Sequence, residues 1–130
     1  MTLLHRRALG RAVALFLAAF VLLACAAHAG TRQEEASRIL QKTDTHGGLV
    51  VHVGCGDGRL TGALHAGDGY VVHGLDREPQ DVQRARRHLK EEGLYGTVSV
   101  AQWTGDRLPY IDNLVDLLVV EQPGLLDSGE

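Results

Sequence analysis

Cysteine is nearly absent from this 130-residue chain, and neither of its two copies is placed to staple a fold. Cys25 falls in a leading apolar stretch and Cys55 inside a glycine turn. If the leader is removed, one thiol remains, so an intramolecular disulfide is excluded even in an oxidising compartment. Aromatic residues make up 5%, which leaves little for recognition by stacking. Basic residues are not in excess: 13 Lys and Arg stand against 16 Asp and Glu. That balance carries no electrostatic footprint for DNA or RNA. No apolar run is long enough to span a bilayer comfortably. There is no Gly-Lys-Ser/Thr, hence no P-loop, and no internal repeat, low-complexity tract or interdomain linker.

What is present begins with a leader. Arg6, Arg7 and Arg11 precede an apolar run from Ala12 to Ala24, and Ala27-His28-Ala29 supplies a small-x-small cleavage pattern. Residues 1–29 therefore read as a secretory signal peptide, with an uncleaved anchor or a misassigned start as the alternatives. Leu22-Leu23-Ala24-Cys25 also resembles a bacterial lipobox, in which Cys25 would carry a lipid anchor. Arg6-Arg7 matches a twin-arginine signal poorly and serves as an ordinary basic start. Loss of the leader removes three Arg and no acid, which takes the formal charge from −3 to −6. The expected location is the periplasm or cell envelope, or the cytoplasm if the start is misassigned.

Residues 30–130 form one domain at most. The pattern predicts a helix over 31–43, with Ala36, Ile39 and Leu40 on one face and Thr31 and Glu34 as a capping pair. Leu49–Val53 is apolar and β-branched, the pattern of a strand buried on both faces. A short helix is expected over Arg59–Ala66 and a second strand over Tyr70–Leu75, finishing at Asp76. Pro79 opens a helix to Glu92, with Val82, Ala85 and Leu89 inward and Gly93 as its stop. Thr97–Trp103 and Asn113–Val120 read as third and fourth strands. The alternation implies a parallel α/β sheet with right-handed crossovers. Only ten residues follow Val120 and none reads as a helix, so the last strand would be poorly covered. The chain thus reads as a fragment or truncated frame, or as one that docks on something else.

The stretch that carries chemistry is Val50-Val51-His52-Val53-Gly54-Cys55-Gly56-Asp57-Gly58. Glycines at alternate positions let the backbone bend sharply and approach a ligand without Cβ clashes. A helix behind such a turn aims N–H groups at the same spot, which suits a phosphate or carboxylate. The spacing departs from G-x-G-x-x-G by one residue. Asp76 closes the second strand 22 residues after Gly54, where a carboxylate can accept hydrogen bonds from ribose hydroxyls, the alternative being a loop or helix-capping carboxylate. Two other clusters carry less. His46, His52, His65 and His73 match no zinc spacing and read as separately satisfied side chains. Arg84, Arg86, Arg87 and Lys90 are flanked by Asp81, Glu91 and Glu92, so they read as a solvated helix face.

Four stretches in order, VVHVGCGDG, HGLD, GDRLPY and VDLLVVE, resemble the successive motifs of class I S-adenosyl-L-methionine (SAM)-dependent methyltransferases over residues 32–122. The resemblance implies a Rossmann-like parallel sheet and SAM as small-molecule cosubstrate. It implies that Gly54, Gly56 and Gly58 pass the methionine end, Asp76 the ribose and Asp106 the adenine amine. Glu121 would lie where substrate-side or catalytic groups stand. His52 occupies a position that is usually acidic and orients the methionine ammonium; a protonated imidazole there would repel it. The family sheet has seven strands, of which four are visible. The amino-methylating Asn/Asp-Pro-Pro-aromatic motif is absent, Glu121-Gln122-Pro123-Gly124 standing in its place. The wording is also similar to exported bacterial proteins in which such a segment precedes a quinoprotein-type β-propeller, which makes a propeller domain an expected neighbour. Export conflicts with a cofactor made in the cytoplasm. Two functions therefore compete: methyl transfer from SAM to an unknown acceptor, and an exported non-catalytic binding or interaction module.

Overall fold

The computed structural model describes residues 30–122 and 124. The expected signal peptide, the lipobox at Cys25 and the cleavage pattern lie outside the described residues. From Arg32 onward the chain forms one compact unit.

A helix over 30–42 (α1) leads into β1 (Gly48–Val53), then α2 (Arg59–Ala63), β2 (Tyr70–Asp76), α3 (Pro79–Glu91), β3 (Val98–Gln102) and β4 (Leu117–Val120). The four strands make one parallel sheet in the order β3-β2-β1-β4. Chain order reverses between β1 and β4, so the crevice outside their carboxyl ends is a topological switch point. The fold is the Rossmann-like α/β type expected.

Alternate residues of each strand supply two cores. Val50, Val72, Val98 and Val100 face the side where Ala36 and Leu40 of α1, Leu60 of α2 and Val82, Ala85 and Leu89 of α3 pack. Val51, Val53 and Leu75 face the other side, closed by Trp103 and by Leu108, Tyr110 and Val115 from the loop before β4. All three described helices serve the first face. The second is covered only in part: Val71 and Leu118 stand on it at 54% and 40% exposure. No residue of β4 is fully buried, in keeping with the poor cover expected for the last strand.

Two boundaries differ from expectation by three residues or more. β4 is four residues long, not eight. Asn113 adopts a left-handed φ of 63°, and the chain joins the sheet only at Asp116, whose N–H donates to the Leu49 carbonyl and whose carboxylate accepts the Leu49 N–H. The apolar pair Leu114-Val115 belongs to the preceding loop. α2 stops at Ala63 rather than Ala66, and Leu64 caps it. α3 follows its signals: Pro79 fills the first turn, Val82, Ala85 and Leu89 are buried, and Gly93 has a φ of 70° just past the end. Its basic face is not wholly solvated, because Arg86 Nε donates to the Val100 carbonyl at 3.0 Å.

Candidate functional site

The turn after β1 is set by three glycines with positive φ: 80° at Gly54, 52° at Gly56 and 80° at Gly58. Their tasks differ. The Gly54 N–H continues the sheet by donating to Leu75, and a Cβ there would meet the Gln122 side chain at 3.3 Å. A Cβ on Gly58 would come within 2.8 Å of the Ala85 Cβ, so this glycine lets α2 and α3 meet. A Cβ on Gly56 would find no atom within 4 Å. Of the three, Gly56 is the one whose missing side chain leaves open space.

Asp76, buried at the end of β2, holds this turn. Its Oδ2 accepts the Gly56 N–H at 2.9 Å and its Oδ1 accepts the Glu78 N–H at 3.0 Å. Each oxygen keeps a further lone pair. The carboxylate thus joins the end of β2 to the turn after β1 across neighbouring strands.

A cleft of about 290 Å³ opens at the switch point, lined by Arg32, Cys55, Gly56, Asp57, Leu60, Arg84 and Glu121. Glu121 follows β4, and its N–H donates to the Val53 carbonyl, which fixes its backbone beside the glycine turn. Its Oε1 accepts from Arg32 Nη1 at 3.1 Å, and the same nitrogen donates to Glu35 at 2.9 Å. Burial is the largest influence on the Glu121 carboxyl and raises its pKa, against the opposing pull of Arg32. Asp57 is paired with Arg59 at 3.3 Å.

His52 lies on β1 and is fully buried. Its Nδ1 is 2.8 Å from the Thr61 hydroxyl. Its Nε2 has no hydrogen-bond partner and stands 3.9 Å from Glu121 Oε1. Burial, reinforced by Arg32, lowers its pKa to about 4, so the ring is neutral at pH 7. The repulsion expected from a charged imidazole does not arise near neutrality. His73 pairs in register with Val51, whereas His52 pairs with Gly74, so the two rings stand on opposite faces of the sheet. His73 bonds instead to the Tyr110 hydroxyl. Among the described residues no three His, Cys, Asp or Glu side chains gather as a metal-ligand group.

Gly56 and Glu121, both anticipated from sequence, line the cleft; Asp76 reaches it through Gly56, and His52 approaches Glu121. Gly54 and Gly58 do backbone and packing work at its base. Asp106 is exposed in the loop after β3 and is not part of the lining. Arg32, Asp57 and Arg84 were not anticipated. The sequence assigns Arg32 no role beyond the helix over 31–43, and nothing local signals that α1 returns to the strand ends. The helix expected behind the turn, α2, is only five residues long.

A family model described as methyltransferase domain matches residues 50–127. A search of curated proteins finds no match. Among solved structures, a candidate SAM-dependent methyltransferase of Methanococcus maripaludis is similar at 22% identity and a TM-score of 0.65, over 71% of this chain and 42% of that one. Geranyl diphosphate methyltransferase in complex with SAM is similar at 20% identity and a TM-score of 0.60, over 68% and 36%. The [4+2]-cyclase SpnF is similar at 24% identity and a TM-score of 0.59, over 66% and 32%. The chain therefore spans less than half the length of these structures, and the likeness is one of fold.

Proposed function

We propose a function from one premise: the chain belongs to the methyltransferase domain family, whose model matches residues 50–127. It binds SAM in the cleft at the β1–β4 switch point, as the cofactor half of a methyltransferase whose acceptor is unknown. The observation that carries this reading is the pairing of Gly56 with Asp76. The backbone at Gly56 is bare toward open space, and the carboxylate that fixes it retains lone pairs for hydroxyl donors.

When bound, SAM supplies an electrophilic methyl group on a sulfonium, open to in-line attack by an acceptor. The chain's own residues bind and orient. Asp76 holds the glycine turn and accepts from the ribose hydroxyls. The neutral His52 brings no positive charge toward the methionine ammonium, and Glu121 supplies the carboxylate that His52 lacks. Catalysis at such a site is largely positioning. The acceptor pocket belongs to the part of the fold beyond β4. Export by residues 1–29 and a following β-propeller remain part of the proposal; cell fractionation that finds the protein only in the cytoplasm would remove both export and its conflict with the cofactor.

One observation favours the second reading, an exported binding module without catalysis. The described carboxylates of the cleft, Glu121 and Asp57, are each paired with an arginine, Arg32 and Arg59. The experiment is calorimetric titration of the full chain with SAM, for the wild type and Asp76→Asn, each shown to be folded by circular dichroism. The expected result is binding weakened at least about tenfold in the variant, one lost charge-assisted hydrogen bond being worth that much. A folded wild type that gives no binding would overturn the proposal.

A further inference from the structure

Arg32, Glu121 and His52 form a chain of three polar groups whose last member is unsatisfied. Arg32 Nη1 serves two carboxylates at once, Glu35 at 2.9 Å and Glu121 at 3.1 Å. Glu121 Oε1 lies 3.9 Å from the fully buried His52 Nε2, which has no hydrogen-bond partner. Two tautomers of a neutral imidazole satisfy Thr61 equally, since a hydroxyl can donate or accept. Electrostatics separates them. A bare Nε2 lone pair would face a carboxylate oxygen, whereas an Nε2–H would point a donor at it. The tautomer with hydrogen on Nε2 follows, with the Thr61 hydroxyl donating to Nδ1. A buried N–H is then left about one ångström short of an acceptor held elsewhere by a guanidinium.

We infer that Glu121 is a two-position carboxylate, held by Arg32 when no ligand is bound and passed to the Nε2–H of His52 when a ligand carboxylate takes Arg32. Three features carry the step. Arg32 presents a planar fork suited to a carboxylate, and it lines the cleft. Glu121 lines the same cleft, and its backbone is fixed by Val53, so only the side chain has to move. The gap of 3.9 Å is about one ångström longer than a hydrogen bond. After the shift Glu121 accepts from His52 and keeps an oxygen for an ammonium. The cleft then reads a zwitterion: carboxylate on Arg32, ammonium on Glu121, with His52 as the positioning residue that holds Glu121 in place. The ligand class is a nucleoside bearing a free amino-acid end, and the inference rests on the SAM reading above.

The test uses the full chain and two probes. S-adenosylhomocysteine carries the amino-acid end; 5′-methylthioadenosine lacks it. Calorimetry of the wild type, Arg32→Gln and Glu121→Gln is expected to show S-adenosylhomocysteine weakened about 10- to 100-fold in each variant, with 5′-methylthioadenosine unchanged. Proton NMR is expected to show a protected imidazole N–H resonance strengthened and shifted downfield by S-adenosylhomocysteine, not by 5′-methylthioadenosine, and unshifted in Glu121→Gln. Equal loss of both probes in the variants would mean a structural role and overturn the inference, as would equal affinity of the wild type for both. In that last case the nucleoside reading stands. If the wild type binds neither probe, the SAM reading itself fails and the inference falls with it.

Discussion

Two glycines of one turn should respond to the same substitution in opposite ways. Gly56→Ala and Gly58→Ala both place a Cβ on a residue with positive φ, at 52° and 80°. That conformation costs an L-residue about 1–2 kcal/mol. At Gly56 nothing further is added, because the new methyl meets no atom within 4 Å. At Gly58 it would stand 2.8 Å from the Ala85 Cβ and 2.9 Å from its Cα. Backbone cannot swing aside as a side-chain tip can, so an overpacking cost of about 1–3 kcal/mol is expected there. Gly58→Ala should lose about 2–5 kcal/mol in all and Gly56→Ala about 1–2. Urea unfolding of the full chain resolves the difference: with a slope of about 1–3 kcal/mol per molar, a gap of about 2 kcal/mol separates the midpoints by roughly 1 M. Binding should run the other way. Gly56→Ala projects a methyl from the cleft lining and should abolish SAM binding in a protein that remains folded. If Gly56→Ala proves as destabilising as Gly58→Ala, or binds SAM normally, the division of labour argued for the turn is wrong.

The depressed pKa of His52, about 4 against 6.5 for an ordinary histidine, makes stability depend on pH. The unfolded chain takes up a proton that the folded chain refuses, so the contribution is complete above pH 6.5 and lost as pH falls to about 4. The amount is about 3 kcal/mol; urea unfolding at pH 7 and pH 4.5 should show a loss in wild type that is absent from His52→Asn. Cys55 is buried and its thiol is pushed up to about 12, burial being the main cause. In a Cys25→Ser chain the remaining thiol should resist aromatic disulfide reagents at pH 8 until denaturant is added, and prompt labelling would contradict its burial. Gly74→Ala should cost about 1–3 kcal/mol, because its Cβ would sit 3.1 Å from Cys55, Thr61 and Val100 at once; an unchanged urea midpoint would show that the layer between β2 and α2 has slack.

Much of the fold was legible because its elements are written in local patterns. Val50 and Val51 are neighbours in sequence yet both fully buried, one in each core, which is why Leu49–Val53 reads as apolar with His52 its single polar member. Pro79 and Gly93 mark the ends of α3 by backbone chemistry alone. The strand over Asn113–Val120 was half wrong for a reason that is not local. Leu114 and Val115 are apolar, yet Asn113 turns the chain and Asp116 ties it to Leu49. The site was legible in part on the same terms. A glycine turn and a strand-end carboxylate announce Gly56 and Asp76. Whether each glycine faces a ligand or a helix depends on where Ala85 and Gln122 come to rest, which no spacing states. Arg32 was illegible because its role depends on α1 packing back toward the strand ends.

The fold and cleft do not by themselves choose the reaction. SpnF, a [4+2]-cyclase, shares the fold at a TM-score of 0.59, so the same sheet supports chemistry other than methyl transfer. The matched structures extend well beyond the part this chain covers. What the described residues bear on is narrower and prior to the reaction. On the proposed reading, the Asp76-held turn with an open Gly56 is where the nucleoside lies, and the Arg32–Glu121–His52 chain is what asks for an amino-acid end. A ligand lacking that end would leave Glu121 on Arg32 and the His52 N–H unsatisfied. On that proposal, discrimination arises because the correct ligand frees Glu121 to satisfy a buried donor that otherwise has no partner, whether or not the bound methyl is ever transferred.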